Sequence, residues 1–319
     1  MIRNRHEMWG SYGTPAEGET ADEVMKNAGL DWDAKIGRLY NSEGTMLTQK
    51  HRGVFREDTG DCIGVVGKSY VVKQHHEVAE LAHRLTETSH LNWNTVGVVG
   101  NGEKAWMNLE LPDEVVINGN EPIGAHMTLT NSHDGSSGIR VIPGCIRQAC
   151  GNQMNMILGN ARKVGNLFTV RHTKNMDAMI EQMIEAIGMT NTLLDNYASQ
   201  ASEMMKVEMD MKDGIEFYLD VLPFDTNKER ITADNPHGLA TRGNNILDTL
   251  LDLETQPQNQ VGDMDNTLWQ KVNVVTDYID HDWITSNDTI NLKRAESAFI
   301  GTGQRHKRKA WASALDLLV

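Results

Sequence analysis

Asn94-Thr95-Val96-Gly97-Val98-Val99-Gly100-Asn101-Gly102-Glu103-Lys104-Ala105-Trp106-Met107-Asn108-Leu109-Glu110-Leu111 reads as two β-type runs joined by Asn101-Gly102. Asn-Gly tolerates the left-handed backbone of a tight turn, so the pair predicts an antiparallel hairpin. Working outward, Gly53 to Arg56 and Cys62 to Val66 flank Asp58-Thr59-Gly60 as a second hairpin. Met127 to Thr130 and Gly138 to Ile142 flank the turn His133-Asp134-Gly135, and Phe168 to Arg171 adds one more strand. Between the hairpins, Val78, Leu81, Ala82 and Leu85 repeat at the spacing of a helix lying on a sheet. Upstream, Thr20-Ala21-Asp22-Glu23 has the form of a capping box and Gly29 stops the short helix it begins.

From about Asn175 the period changes. Met176, Met179, Ile180, Met183, Ile184 and Ile187 form a helical stripe that continues through Leu194, Tyr197 and Met204, predicting a long helix that ends near Asp213-Gly214. Residues 225–265, rich in Asn, Asp, Gln and Gly, read as loose structure around one helix at Ile246 to Leu253. Trp269 to Ile279 resumes a helix, and Gly301 to Val319 joins the basic run Arg305-His306-Lys307-Arg308-Lys309 to an apolar turn. The expected class is α+β: a twisted antiparallel sheet with packed helices, followed by a mostly helical C-terminal half with one long helix. The boundary falls between 1–174 and 175–319, as two units or one continuous domain.

The chain has 319 residues, 39% of them apolar and 6% aromatic, and a mean hydropathy of −0.46. No run approaches the roughly 18–20 apolar residues of a membrane span, and the segment from Met1 to Glu7 lacks the apolar stretch of a signal peptide. The expectation is a soluble cytoplasmic protein with no membrane partner. Cys62, Cys145 and Cys150 are an odd number without a paired motif, and read as reduced, buried side chains.

Charge is segregated along the chain. The net charge is −14, yet residues 135–176 contain no Asp or Glu and carry Arg140, Arg147, Arg162, Lys163, Arg171 and Lys174. Residues 177–292 hold 22 acidic and 6 basic residues, residues 1–134 hold 20 and 12, and residues 293–319 hold 2 and 6. A basic window on an otherwise repelling chain is a way to present a phosphate track without attracting polyanions everywhere. Asn152, Gln153 and Asn155 within it are candidate donors to sugars or bases, and Trp106 or Phe168 candidate stacking partners. The turn itself, with Asn131, Ser132, His133, Asp134, Ser136 and Ser137, reads either as capped by Asp134 or as a cradle of N–H groups for an anion.

Several blocks occur in an order that resembles a known family. Gly64-Val65-Val66-Gly67-Lys68-Ser69-Tyr70, Asn131-Ser132-His133-Asp134-Gly135-Ser136 with Arg140-Val141, and Cys150-Gly151-Asn152-Gln153-Met154-Asn155 are similar to the central blocks of the phage/plasmid-like proteins, a domain of unknown function. Leu268-Trp269, Asn273, Val275-Thr276-Asp277-Tyr278 and Asp280-His281 resemble its C-terminal block. The chain departs from the family at Trp9-Gly10-Ser11-Tyr12-Gly13-Thr14, where Trp-His-x-Leu-Gly is usual. The resemblance implies a mobile-element gene expressed in a bacterial host, and no established activity.

His133-Asp134 and Asp280-His281 invite a metal-dependent phosphodiester-cleaving enzyme, because imidazole and carboxylate ligands hold cations that activate water. Adjacent residues on a strand or helix diverge, so each pair supplies one ligand at most. Gly64 to Ser69 ends in Gly-Lys-Ser but lacks the spacing of a phosphate loop. No catalytic residue, metal or cofactor is therefore assigned. The expected function is single-stranded nucleic-acid binding of the strand-annealing type, serving phage or plasmid recombination or replication, by a homo-oligomer whose tail 305–309 lies on the acidic region of the next subunit. The alternatives are the phosphodiester-cleaving enzyme and a host-takeover or virion-associated protein-binding module.

Overall fold

The Asn101-Gly102 hairpin forms, with a four-residue loop between Val99 and Lys104. Its left-handed positions fall on Gly100 and Gly102 (φ 65° and 99°), not on Asn101. Glycine suits Gly102 for a second reason, since a Cβ there would stand 2.4 Å from the Trp32 ring. The computed structural model describes residues 13–89, 91–117, 121–147, 153–155, 169–175, 191–283 and 301–318, with 178 and 297 besides.

The elements in chain order are β1 (Thr14–Pro15), α1 (Ala21–Asn27), β2 (Ala34–Gly37), β3 (His51–Arg56), β4 (Cys62–Gly67), α2 (His75–Ser89), β5 (Asn92–Val99), β6 (Lys104–Ile117), β7 (Glu121–Ser132), β8 (Ile139–Arg147), β9 (Gln153–Asn155) and β10 (Thr169–Val170). They are followed by α3 (Asn191–Met204), α4 (Met211–Val221), α5 (Thr241–Glu254), α6 (Leu268–His281) and α7 (Thr302–Asp316). The strands make a seven-stranded sheet ordered β1-β5-β6-β7-β8-β10, with β9 on β8, and a three-stranded sheet β2-β3-β4. Every pairing among the described residues is antiparallel. The class is α+β with a helical C-terminal half.

One face of the large sheet carries Ala105, Met107, Leu109, Met127, Leu129, Ile139 and Val141, packed against α1 and α2. The α2 stripe of Val78, Leu81, Ala82 and Leu85 is buried against it, each larger side chain stabilising the fold by about 1.5–3 kcal/mol. α1 starts as the capping box predicts, with Thr20 Oγ1 accepting from the Glu23 N–H (3.3 Å). The Glu23 carboxylate reaches back to the Glu19 N–H (2.8 Å), one residue ahead of the cap.

A second cluster gathers the helical half around α6, all 14 of whose residues are buried. Tyr197 stacks on Trp311 at 4.5 Å and Trp269 meets the same indole edge-on at 6.0 Å. Ile117, at the far end of β6, lies in this cluster, so the longest strand joins the two cores.

Two expectations are corrected. The helix read as running to Asp213-Gly214 stops at Met204, and Asp210 Oδ1 caps a new helix, α4, through the Asp213 N–H (2.9 Å). Gly214 does not stop a helix; it leaves room for Lys271, whose Cε would stand 2.9 Å from a Cβ there. The methionine stripe 176–187 lies outside the described residues. Cys62, read as buried, is exposed: it opens β4 opposite Phe55, on the sheet face away from buried Val54. The Cys145 side chain and Cys150 lie outside the described residues. No described helix is long and apolar enough to cross a membrane.

Candidate nucleic-acid interface

The turn after β7 is built around Asp134. Its Oδ1 accepts from the Ser132 hydroxyl (2.6 Å) and the Ser136 N–H (2.9 Å), and Lys104 Nζ stands 3.5 Å from Oδ2. Partial burial alone would raise the carboxyl, but the Ser132 and Ser136 hydrogen bonds and Lys104 hold it below the usual carboxylate range. Gly135 supplies the left-handed residue (φ 74°). The Ser132 hydroxyl and the Ser136 N–H are thus engaged by the protein's own carboxylate, as in an Asx-type turn. Ser136 is exposed and Ser137 half-buried, while Asn131, Ser132 and His133 are fully buried.

What buries them is the small sheet. Gly64 lies so close that a Cβ would stand 2.3 Å from the His133 carbonyl oxygen. Val66 touches Gly135, and the Tyr70 hydroxyl donates to the Ser132 carbonyl (2.6 Å). Gly64 to Tyr70 and Asn131 to Ser136 are therefore one structural unit, the first lying over the second.

Beneath this contact sit three histidines. His75 Nε2 faces the Gly102 carbonyl (3.1 Å) and Nδ1 faces Asn131 Nδ2 (3.0 Å), which fixes a neutral ring protonated on Nε2. Its ring centroid is 4.1 Å from that of His133, and Trp32 closes the group at 5.4 and 6.1 Å. His172 stacks on Tyr70 at 4.7 Å. Burial pushes His75 and His172 down to about 4 and His133 to about 2. Both His133 ring nitrogens and Asn131 Oδ1 lack a hydrogen-bond partner among the described residues. The Val71 carbonyl lies near enough to His172 to favour a proton there, although not in hydrogen-bond geometry. His133 is 0% exposed, so neither nitrogen meets solvent.

The opposite face of the large sheet is polar. Gly97, Trp106, Thr130, Arg140 and Thr169 follow one another across the strands, and Thr95, Asn108 and Thr128 form the next row. Thr128 donates to Asn108 Oδ1 (2.9 Å). Trp106, expected to stack on bases, is 1% exposed and lies over Gly97 and Gly13, where a Cβ would stand 2.4 and 2.5 Å from its ring. It is a core residue.

Arg140 is half-buried on this face. Desolvation lowers its guanidinium, and Arg308 of α7 lowers it further. α7 packs on β9, the partner of β8, so two cationic segments 168 residues apart in sequence are near neighbours. Arg171 and Lys174 are exposed just beyond β10, the strand that pairs with Arg140. Of the other candidates, Arg147, Gln153 and Asn155 have their backbones on β8 and β9 with side chains outside the described residues; Asn152, Arg162, Lys163 and Phe168 lie wholly outside them. The run 305–309, expected on a neighbouring subunit, docks on its own chain. Lys307 is buried against Asp280 (2.5 Å) and Lys309 pairs with Asp220 (3.2 Å), which leaves Arg305 and Arg308 exposed.

Asp280 and His281 lie on α6 in the helical core, where His281 Nε2 is 3.7 Å from Asp277 Oδ1, whereas His133 belongs to the sheet core. Among the described residues no three His, Cys, Asp or Glu side chains are placed to hold a metal ion.

Fold and site together define an α+β protein in which β4 and its following turn lock onto the turn after β7, with Arg140, Arg171 and Lys174 at the β8–β10 edge. The sequence profile of a family described as a domain of unknown function (DUF932) matches residues 62–299, about three quarters of the chain. The chain belongs to that family. No curated protein and no solved structure matches it.

Proposed function

We propose that the protein binds single-stranded nucleic acid and acts by strand annealing in the recombination or replication of a phage or plasmid. The observation that carries this reading is that α7 packs against β9, which pairs with β8, and so brings Arg308 within electrostatic range of Arg140 in the acid-free window. Annealing requires no catalytic group, only a basic track, and Arg171, Lys174 and Arg308, exposed, with half-buried Arg140 support one. Arg308, being exposed, is the clean probe: Arg308→Glu should weaken binding of a labelled oligothymidylate at low salt and flatten its log–log salt dependence by about 0.7, the value of one phosphate on a single strand. An Arg308→Glu protein with wild-type affinity and slope would remove the tail from the track.

A further inference from the structure

The three-stranded sheet turns its inner face to the histidine cluster and leaves its outer face uncovered. Four of the described large apolar residues that are exposed lie on that face or on the connecting hairpin: Tyr40 (53%), Met46, Leu47 (62%) and Val65 (55%); exposed Ile36, registered with buried Val54, belongs to the inner face. On the outer face the Phe55 ring lies across Gly37 and Gly53, whose Cβ atoms would stand 2.8 and 2.4 Å from it, with Leu39 alongside. Val65 is registered beside Gly53. A bridge between Tyr40 and Met46 holds the hairpin that projects from the edge.

The segment is basic. Residues 34–56 carry Lys35, Arg38, Lys50, Arg52 and Arg56 against Glu43 alone, within an N-terminal region that is otherwise acidic; Arg52 and Arg56, registered with Val66 and Ala34, belong to the inner face. Lys35, Arg38, Lys50 and His51 are exposed. Lys35 has a solvent-screened partner in Glu57 (3.4 Å), and Arg38 and Lys50 have no carboxylate partner among the described residues. Aromatic rings interleaved with exposed cations on a flat sheet are what single strands use, because bases stack without regard to sequence while phosphates find the cations. An apolar face with no cations would instead call for another protein surface.

We propose that the outer face of this sheet is a second contact surface for single-stranded nucleic acid, with bases stacking on Phe55 and Tyr40 and phosphates held by Lys35, Arg38, Lys50 and His51. It shares the ligand class of the reading above and rests on it, but its residues lie outside the acid-free window and before the family match begins. The test uses the full chain. Arg38→Glu/Lys50→Glu should flatten the oligonucleotide salt slope by about 1.4, two phosphates' worth. Tyr40→Ala should weaken binding roughly tenfold at unchanged slope, as loss of one stacked base does. If the wild type binds and these variants bind equally well, this surface is excluded while the annealing reading stands; if the wild type does not bind, both fall. Light scattering in which Tyr40→Ala disperses an oligomer without changing oligonucleotide affinity would assign the face to a second copy, and flotation with phosphatidylserine vesicles that Arg38→Glu/Lys50→Glu abolishes, again at unchanged oligonucleotide affinity, would assign it to a membrane. Either result overturns the proposal.

Discussion

Between pH 7 and pH 5 the folded state should lose on the order of 6 kcal/mol through His75, His133 and His172 alone. Their folded pKa values, about 4, 2 and 4, lie below the unfolded value of about 6.5. The unfolded chain therefore binds protons that the folded chain refuses. This stability is fully present above pH 6.5 and is lost as pH falls from there towards the folded values, at about 2 kcal/mol per histidine by pH 5. His126, pushed down to about 3 by burial and by Lys307, acts in the same direction. Because domains are stable by only about 5–15 kcal/mol, urea midpoints should fall steeply below pH 6. A midpoint that stays flat between pH 7 and 5 would mean that these rings are not buried and neutral.

Lys307→Met should cost about 3–5 kcal/mol, the usual penalty for leaving one member of a buried ion pair unpartnered. Lys307 Nζ is 2.5 Å from Asp280 Oδ1 with both side chains buried. Adding Asp280→Leu should recover most of the loss, since two apolar residues leave no stranded charge. Arg308→Glu, one residue on and exposed, should cost under about 0.5 kcal/mol. Urea unfolding of the three variants decides the matter; a Lys307→Met protein as stable as Arg308→Glu would place the tail elsewhere than on its own α6.

Periodicity and turn chemistry were sufficient for the sheet and its helices. The Thr20 cap, the α2 stripe and the hairpin at Gly100 to Glu103 each follow from spacing within a dozen residues, where local rules operate. The miss at Asp210 has a local cause too. Asp210 three residues before Asp213 is an N-cap signal, but Gly214 drew the reading towards a helix end when its missing Cβ serves the passage of Lys271 from α6. Long-range facts were less accessible. Lys307, Ala310, Trp311 and Ala314 share the i, i+3, i+4, i+7 spacing of a buried stripe, so the burial of Lys307 was readable, although its partner Asp280 was not. Nothing in the order of residues places Gly64 on His133, because that contact joins separate sheets. The basic face of residues 34–56 was obscured by the acidic average around it, and appeared once the strands showed which side chains face out.

The central claim is a phosphate track for single strands, and binding of a labelled oligonucleotide to the wild-type protein at several salt concentrations tests it most directly. With most of the six cations of residues 135–176 in contact, counterion release gives a log–log slope of roughly −3 to −4 from that window alone, at about −0.7 per phosphate, and Arg308 and the small-sheet cations steepen it further. Undetectable binding to both DNA and RNA at low salt would contradict the account.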